Sequence, residues 1–231
     1  MNLREKALAV YQRLLGYYGY PEWRNPLPPI DELVSTILSQ NTNDANRDRA
    51  FTSLVTRFPE WEAVRDADPA AVIAAIRPAG LANQKGPRIQ KVLREISAQR
   101  GSLSLDFLHE MDVEAARRWL TQFKGVGPKT AAIVLQFSLN MPAFPVDTHI
   151  YRVSGRLGLR PEKMTVEQAH EHLAACFPTE TYYAAHLNLI RLGRQICQAR
   201  RPKCPECPLK DLCDYYQNEV LVNQDSPETR L

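Results

Sequence analysis

Glycine is scarce in this chain, 10 of 231 residues, and no alternating apolar and polar stretch is long enough to argue for a sheet. Collagen-like, low-complexity and disordered classes are excluded. Hydrophobic residues make up 44% and charged residues 24%, near the average for globular proteins. No apolar run approaches the roughly 20 residues that span a bilayer. The start, Met1-Asn2-Leu3-Arg4-Glu5-Lys6, lacks the basic-then-apolar layout of a signal peptide. Internal repeats are lacking too. These absences predict a soluble, cytoplasmic protein of one or two domains with a sizeable core. Neither sign of charge dominates: the net charge is only +3. Its distribution is uneven, with five basic residues and no acid from Arg191 to Lys203, then five acids against Arg230 from Asp211 to Leu231. Charge alone reads this as a solvated helix face.

What is present is helical periodicity almost throughout. Leu3, Ala7, Leu8, Val10, Tyr11, Leu14, Leu15 and Tyr18 mark a first amphipathic helix. A proline-rich connector, Pro21 to Pro29, ends it. Helices are expected from about Ile30 to Ser39 and Asp44 to Phe58, with another opening at Asp68-Pro69, a cap followed by proline. The pattern continues from about Gln84 to Arg100, from Asp112 to Thr121, and from Pro128 to Leu139. Beyond the Asn140–Pro145 connector a helix starts at Asp147. A capping box, Thr165-Val166-Glu167-Gln168, opens one to about Cys176, and the last long helix runs from about Thr181 to Ile196. The expectation is all-α.

Cysteine is sparse as well, five in all, but four fall within seventeen residues. Cys197, Cys204, Cys207 and Cys213 have the spacing C-x6-C-x2-C-x5-C. Disulfides suit a cytosolic chain poorly. Structural zinc sites usually present two short knuckles, and here only Cys204 and Cys207 form one. The looser outer spacings favour an iron–sulfur cluster of the [4Fe-4S] type over zinc. Cys176, among Ala174, Ala175 and Phe177, reads as a buried core thiol.

A second signal is Phe123-Lys124-Gly125-Val126-Gly127-Pro128-Lys129-Thr130. Two glycines flank a small apolar residue between two helices, and proline starts the second. The free N–H groups of such a turn form an anion site suited to one DNA phosphate, holding the backbone without reading bases. Lys129 falls in the first turn of the second helix. The positive helix end, with partial burial, is expected to lower its pKa and make it a nucleophile, including a Schiff-base former. A phosphate-contacting role is the alternative, which Lys124 could fill instead. Some eighteen residues on, Asp147 in Val146-Asp147-Thr148-His149-Ile150-Tyr151-Arg152-Val153 stands just before a helix. A capping carboxylate is held ionised and aimed, which also suits it to stabilise positive charge on a sugar or assist proton transfer. His149 reads as a structural hydrogen-bonding residue.

G-V-G-P-K-T, V-D-T-H-I-Y-R-V and the four cysteines, in this order, resemble the endonuclease III family of base-excision DNA glycosylases over nearly the whole chain, Ile30 to Cys213. The resemblance implies two helical lobes with a DNA-binding groove between them. A six-helix barrel would span 24–140 with the helix–hairpin–helix at about 112–139, and 1–23 with 141–231 would form the cluster domain, its loop at 197–213. It implies that Lys129 and Asp147 are catalytic and that Cys197, Cys204, Cys207 and Cys213 hold a [4Fe-4S] cluster. DNA would be touched by Lys124, Gly125, Val126, Gly127 and Thr130 of the hairpin, and by Arg200 and Arg201 from the cysteine loop. Leu81 matches the residue that wedges into the duplex. Asn41 stands where many bacterial members carry a gap-filling glutamine, and Lys124 where members often have proline. The implied activity is a bifunctional glycosylase/AP lyase acting as a monomer on double-stranded DNA with oxidised pyrimidines or abasic sites, nucleoid-associated if bacterial, with no membrane partner. Two rivals are a monofunctional mismatch glycosylase, which generally lacks a lysine at the position of Lys129, and a non-catalytic DNA-binding module, which would not need Lys129 and Asp147 together.

Overall fold

A computed structural model describes residues 1–22 and 26–221. Among them are eleven α-helices and no strand: α1 Leu3–Tyr18, α2 Pro29–Ser39, α3 Asp44–Arg57, α4 Trp61–Asp66, α5 Pro69–Ala75, α6 Ala82–Arg100, α7 Val113–Thr121, α8 Pro128–Phe137, α9 Thr148–Arg156, α10 Val166–Cys176 and α11 Tyr182–Gln195. Their starts are written locally. Capping boxes at Asn2 and Thr165 open α1 and α10. The carboxylates of Asp68, Asp112 and Asp147 accept from the N–H groups of Ala70, Ala115 and Ile150. Each cap satisfies a donor that the helix itself leaves unpaired. Proline stands at the start of α2, α5 and α8, where its missing N–H costs nothing.

The differences from expectation are local. The six-residue α4 is too short to show a helical period. Helix α6 begins at Ala82, two residues before the expected Gln84, because Leu81 supplies the cap position. Helix α8 stops at Phe137, two residues before Leu139. The Pro21–Pro29 connector includes residues 23–25, and the acidic tail includes 222–231, all outside the described residues.

The described residues divide into two compact units. One is drawn from Met1–Arg24 and Pro142–Leu231, the other from Asn25–Met141. In the second unit, α2 is buried on almost every side, through Ile30, Leu33, Val34, Ile37 and Leu38. It packs against α8 and α3, while α6 contributes Ile89, Leu93 and Ile96. In the first, Val10 and Leu14 of α1 meet Ile150 and Val153 of α9, Leu173 of α10 and Leu189 of α11. Phe144 stacks on Phe177, ring centroids 5.1 Å apart, and meets Tyr182 edge-on. Each fully buried Leu or Ile is worth about 1.5–3 kcal/mol, so these apolar stripes fix the scaffold. No described helix is long and apolar enough to cross a membrane.

Candidate functional site

In the unit of residues 25–141, three turns bear the predicted DNA-facing residues. The hairpin joins α7 to α8. Gly125 takes φ +96°, and a Cβ there would sit 2.2 Å from Cδ of Arg88, so both conformation and space demand glycine. Val126 is buried, its N–H bonded to the Phe123 carbonyl, while Lys124 and Gly127 are exposed. Thr130 is buried in the first turn of α8. Gly127 offers no side-chain cap, so the N–H groups at the start of α8 remain open to an outside acceptor. Lys129 is exposed and has no hydrogen bond or ion pair among the described residues. The partial burial expected for it is absent.

The other two turns hold strained backbones. Asn41 has φ +53° and Leu81 φ +49°, left-handed values that cost a branched residue such as leucine about 1–2 kcal/mol. Strain of this kind persists where surrounding bonds over-determine it, and it clusters at functional positions. Leu81 is 48% exposed, a large apolar side chain presented to solvent.

In the unit formed by the chain ends, Asp147 is half-buried at the head of α9. Its Oδ1 accepts from Ile150 N at 2.8 Å, leaving Oδ2 without a protein donor among the described residues. The approach to Asp147 is held by two buried histidines that sequence reasoning missed. His186 Nδ1 lies 2.9 Å from Pro145 O. His170 Nδ1 lies 3.1 Å from Phe144 O and 3.2 Å from Val146 N, and serves one of them in a given tautomer.

One and two turns along α9, arginines reach the cysteine loop. Arg152 Nε donates to Cys197 O, and its Nη2 to Gly193 O, beside His149 Nδ1. The structural role read for His149 fits this contact. Arg156 donates to the carbonyls of Gln198 and Ala199 and comes within 3.4 Å of Cys197 Sγ. Cys197, Cys204, Cys207 and Cys213 line one small, partly enclosed pocket, with Arg156 and Tyr216 among its walls. Among the described residues no three such side chains converge to hold a single metal ion. Four thiols lining one pocket supply the all-cysteine donor set that a [4Fe-4S] cluster takes. Burial pushes the Cys207 thiol up to about 11, and raises Cys204 and Cys213 too. A metal group held by these thiols would displace their protons. Arg200 and Arg201 are exposed on it, Arg201 with φ +51°. Arg191, in the same basic run, is engaged over the Tyr18 ring at 4.5 Å. Cys176 is buried, as expected.

Comparison with known proteins places these features. Residues 34–179 match the family described as HhH-GPD superfamily base excision DNA repair protein, and residues 197–213 match the iron–sulfur binding domain of endonuclease III. Endonuclease III of Sulfolobus acidocaldarius is 34% identical over 222 residues, covering 95% of this chain and 96% of that one. An Arabidopsis thaliana protein named for DNA glycosylase activity is 36% identical over 195 residues, covering 80% of this chain and 66% of that one. A solved endonuclease III–DNA trapped covalent intermediate superposes with a TM-score of 0.78 at 26% identity, over 95% of this chain and 100% of that one.

Proposed function

The chain belongs to the HhH-GPD superfamily of base excision DNA repair proteins and is a bifunctional DNA glycosylase/AP lyase with a [4Fe-4S] cluster, and from that premise we propose which damage it removes and which residues remove it. Its substrates are oxidised or ring-saturated pyrimidines, such as thymine glycol, in duplex DNA, and it acts as a monomer. The observation that carries the residue assignment is Lys129, an exposed amine, unpartnered among the described residues, in the first turn of the helix that follows the hairpin.

A base inside a duplex is out of reach, so the nucleotide must be flipped out, which costs a few kcal/mol and less for a poorly stacked damaged base. Leu81 wedges into the gap and Asn41 fills the vacated position. The hairpin N–H groups and Lys124 hold a backbone phosphate. Lys129 gives up a proton and its Nζ attacks C1′ of the sugar. The bond to the base breaks, and the base leaves with the electron pair and takes a proton. Ring opening gives a Schiff base between Lys129 and C1′. Loss of a C2′ proton then expels the 3′ phosphate oxygen, cutting the strand by β-elimination, and water releases the lysine. The Asp147 carboxylate, fixed by its cap bond, faces positive charge developing on the sugar with its free oxygen.

Cys197, Cys204, Cys207 and Cys213 would hold the cluster, whose iron–thiolate bonds would tie the loop together. Arg152 and Arg156 join that loop to the helix headed by Asp147. Single-turnover assays on a thymine glycol duplex, a G·T mismatch and an adenine mismatch test the reading. Fast excision of thymine glycol with strand cutting is expected. Faster removal of a mismatched base without strand cutting would replace it by the monofunctional alternative.

A further inference from the structure

Lys85 is buried, 2% exposed, on an apolar stripe of α6 shared with Ile89 and Leu93. Among the described residues it has no carboxylate partner. Its Nζ donates instead to two backbone carbonyls, Leu38 O and Ala79 O, both at 2.8 Å. A buried ammonium without a counter-charge is costly, and a methionine of similar length would pack the same space without that penalty. What a methionine could not do is pair the two carbonyls, each near the C-terminal end of a helical segment. Leu38 lies three residues before Asn41, and Ala79 two before Leu81, both left-handed residues on exposed turns of this unit. One turn along α6, Arg88 Nη1 donates to Gln40 Oε1 at 3.0 Å, and Gln40 Nε2 donates to Gly125 O at 3.1 Å. Two cations on one helix face thus stitch together the Asn41, Leu81 and Gly125 turns.

The geometry points to Lys85 and Arg88 as positioning residues for base extrusion, setting the spacing of wedge, gap filler and phosphate-holding hairpin. This rests on the reading of Leu81 as the wedge and Asn41 as the filler. Neither cation touches the reacting atoms. Each fixes backbone that must enter or grip the duplex at once, and a misplacement of about 1 Å at such a site can cost about 100-fold in rate.

The test uses the cluster-loaded full chain and three readouts: single-turnover excision from a thymine glycol duplex, fluorescence of a 2-aminopurine beside the lesion, and borohydride trapping on a preformed abasic duplex. Lys85→Met is expected to lower excision about tenfold or more and to lose the 2-aminopurine signal. Trapping on the abasic duplex, which has no base to extrude, should stay near wild type. Arg88→Met should show the same pattern more weakly, and Arg88→Lys, which restores a donor toward Gln40, should recover most of it. Should Lys85→Met fail to fold, the Arg88→Met and Arg88→Lys pair carries the comparison. Wild-type excision and fluorescence in both methionine variants would overturn the inference. So would an equal loss of trapping and excision, the mark of general damage. Leu81→Ala run alongside separates the failures: full excision there sinks the wedge reading and this inference with it, whereas slow Leu81→Ala beside fast Lys85→Met sinks this inference alone.

Discussion

Replacing Leu81 by glycine and by alanine separates its two properties, a strained backbone and an exposed apolar side chain. The side chain is 48% exposed, so entry into a duplex would bury about half of it. At about 1.5–3 kcal/mol for a whole leucine, that half is worth about 1 kcal/mol, or about fivefold in the rate of excision. Both substitutions should therefore slow excision by about the same factor. Their stabilities should differ. Each loses the half of the side chain already buried, again about 1 kcal/mol. Alanine stays in the left-handed conformation at φ +49°, whereas glycine adopts it freely and regains about 1 kcal/mol. Leu81→Gly should match the wild-type melting temperature, with Leu81→Ala about 2–4 °C below both. Thermal unfolding of the holoprotein and single-turnover excision measure the two effects. Equal melting of the two variants would refute the strain assignment, and wild-type excision by either would refute the wedge.

Asp147→Asn keeps an oxygen for the Ile150 N–H, so it should fold and bind DNA normally, while excision falls by about 100-fold or more through loss of the aimed charge; near-normal rates would remove Asp147 from the chemistry. Arg200→Ala with Arg201→Ala should flatten the dependence of log K on log salt by about 0.9 per lost phosphate contact, and an unchanged slope would make the pair a solvated surface. Arg13 makes two bonds to Asp211, 2.9 and 3.1 Å long, holding α1 to the cysteine segment. The guanidinium keeps the Asp211 carboxyl below its ordinary value, so the pair stabilises the fold above the usual carboxylate range and is lost as pH falls through that lowered value. Both groups are largely exposed, which limits the effect to about 0.5 kcal/mol. The melting difference between wild type and Asp211→Asn should be present at pH 7 and vanish in acid; a gap that persists in acid would contradict this.

Helices with capping residues could be read directly. Asp112, Asp147 and Thr165 each announce a start, because a short polar side chain beside an apolar stripe has one favourable place to bond. Four clustered cysteines announce a metal group for a similar reason: few other chemistries call for that pattern. The buried supports were harder to see. Lys85 falls on the apolar stripe of α6, at the spacing of Ile89, and that interruption was its one sequence signal. His170 and His186 act on carbonyls 26 and 41 residues away in the chain, pairings that local pattern does not encode. The left-handed Asn41 and Leu81 were singled out by resemblance alone: Gly80 punctuates one turn without marking the leucine after it as left-handed, and no glycine stands beside Asn41. Arg152 and Arg156 lie on a helix whose period was plain, yet their acceptors belong to an irregular loop.

The most direct measurement is borohydride trapping with the wild type and with Lys129→Gln on the same thymine glycol duplex. A Schiff base on Lys129 predicts a covalent protein–DNA adduct for the wild type. For Lys129→Gln it predicts no adduct, with the cluster absorbance and DNA affinity kept because the hairpin glycines remain. An adduct formed equally well by Lys129→Gln would show that another amine is the nucleophile.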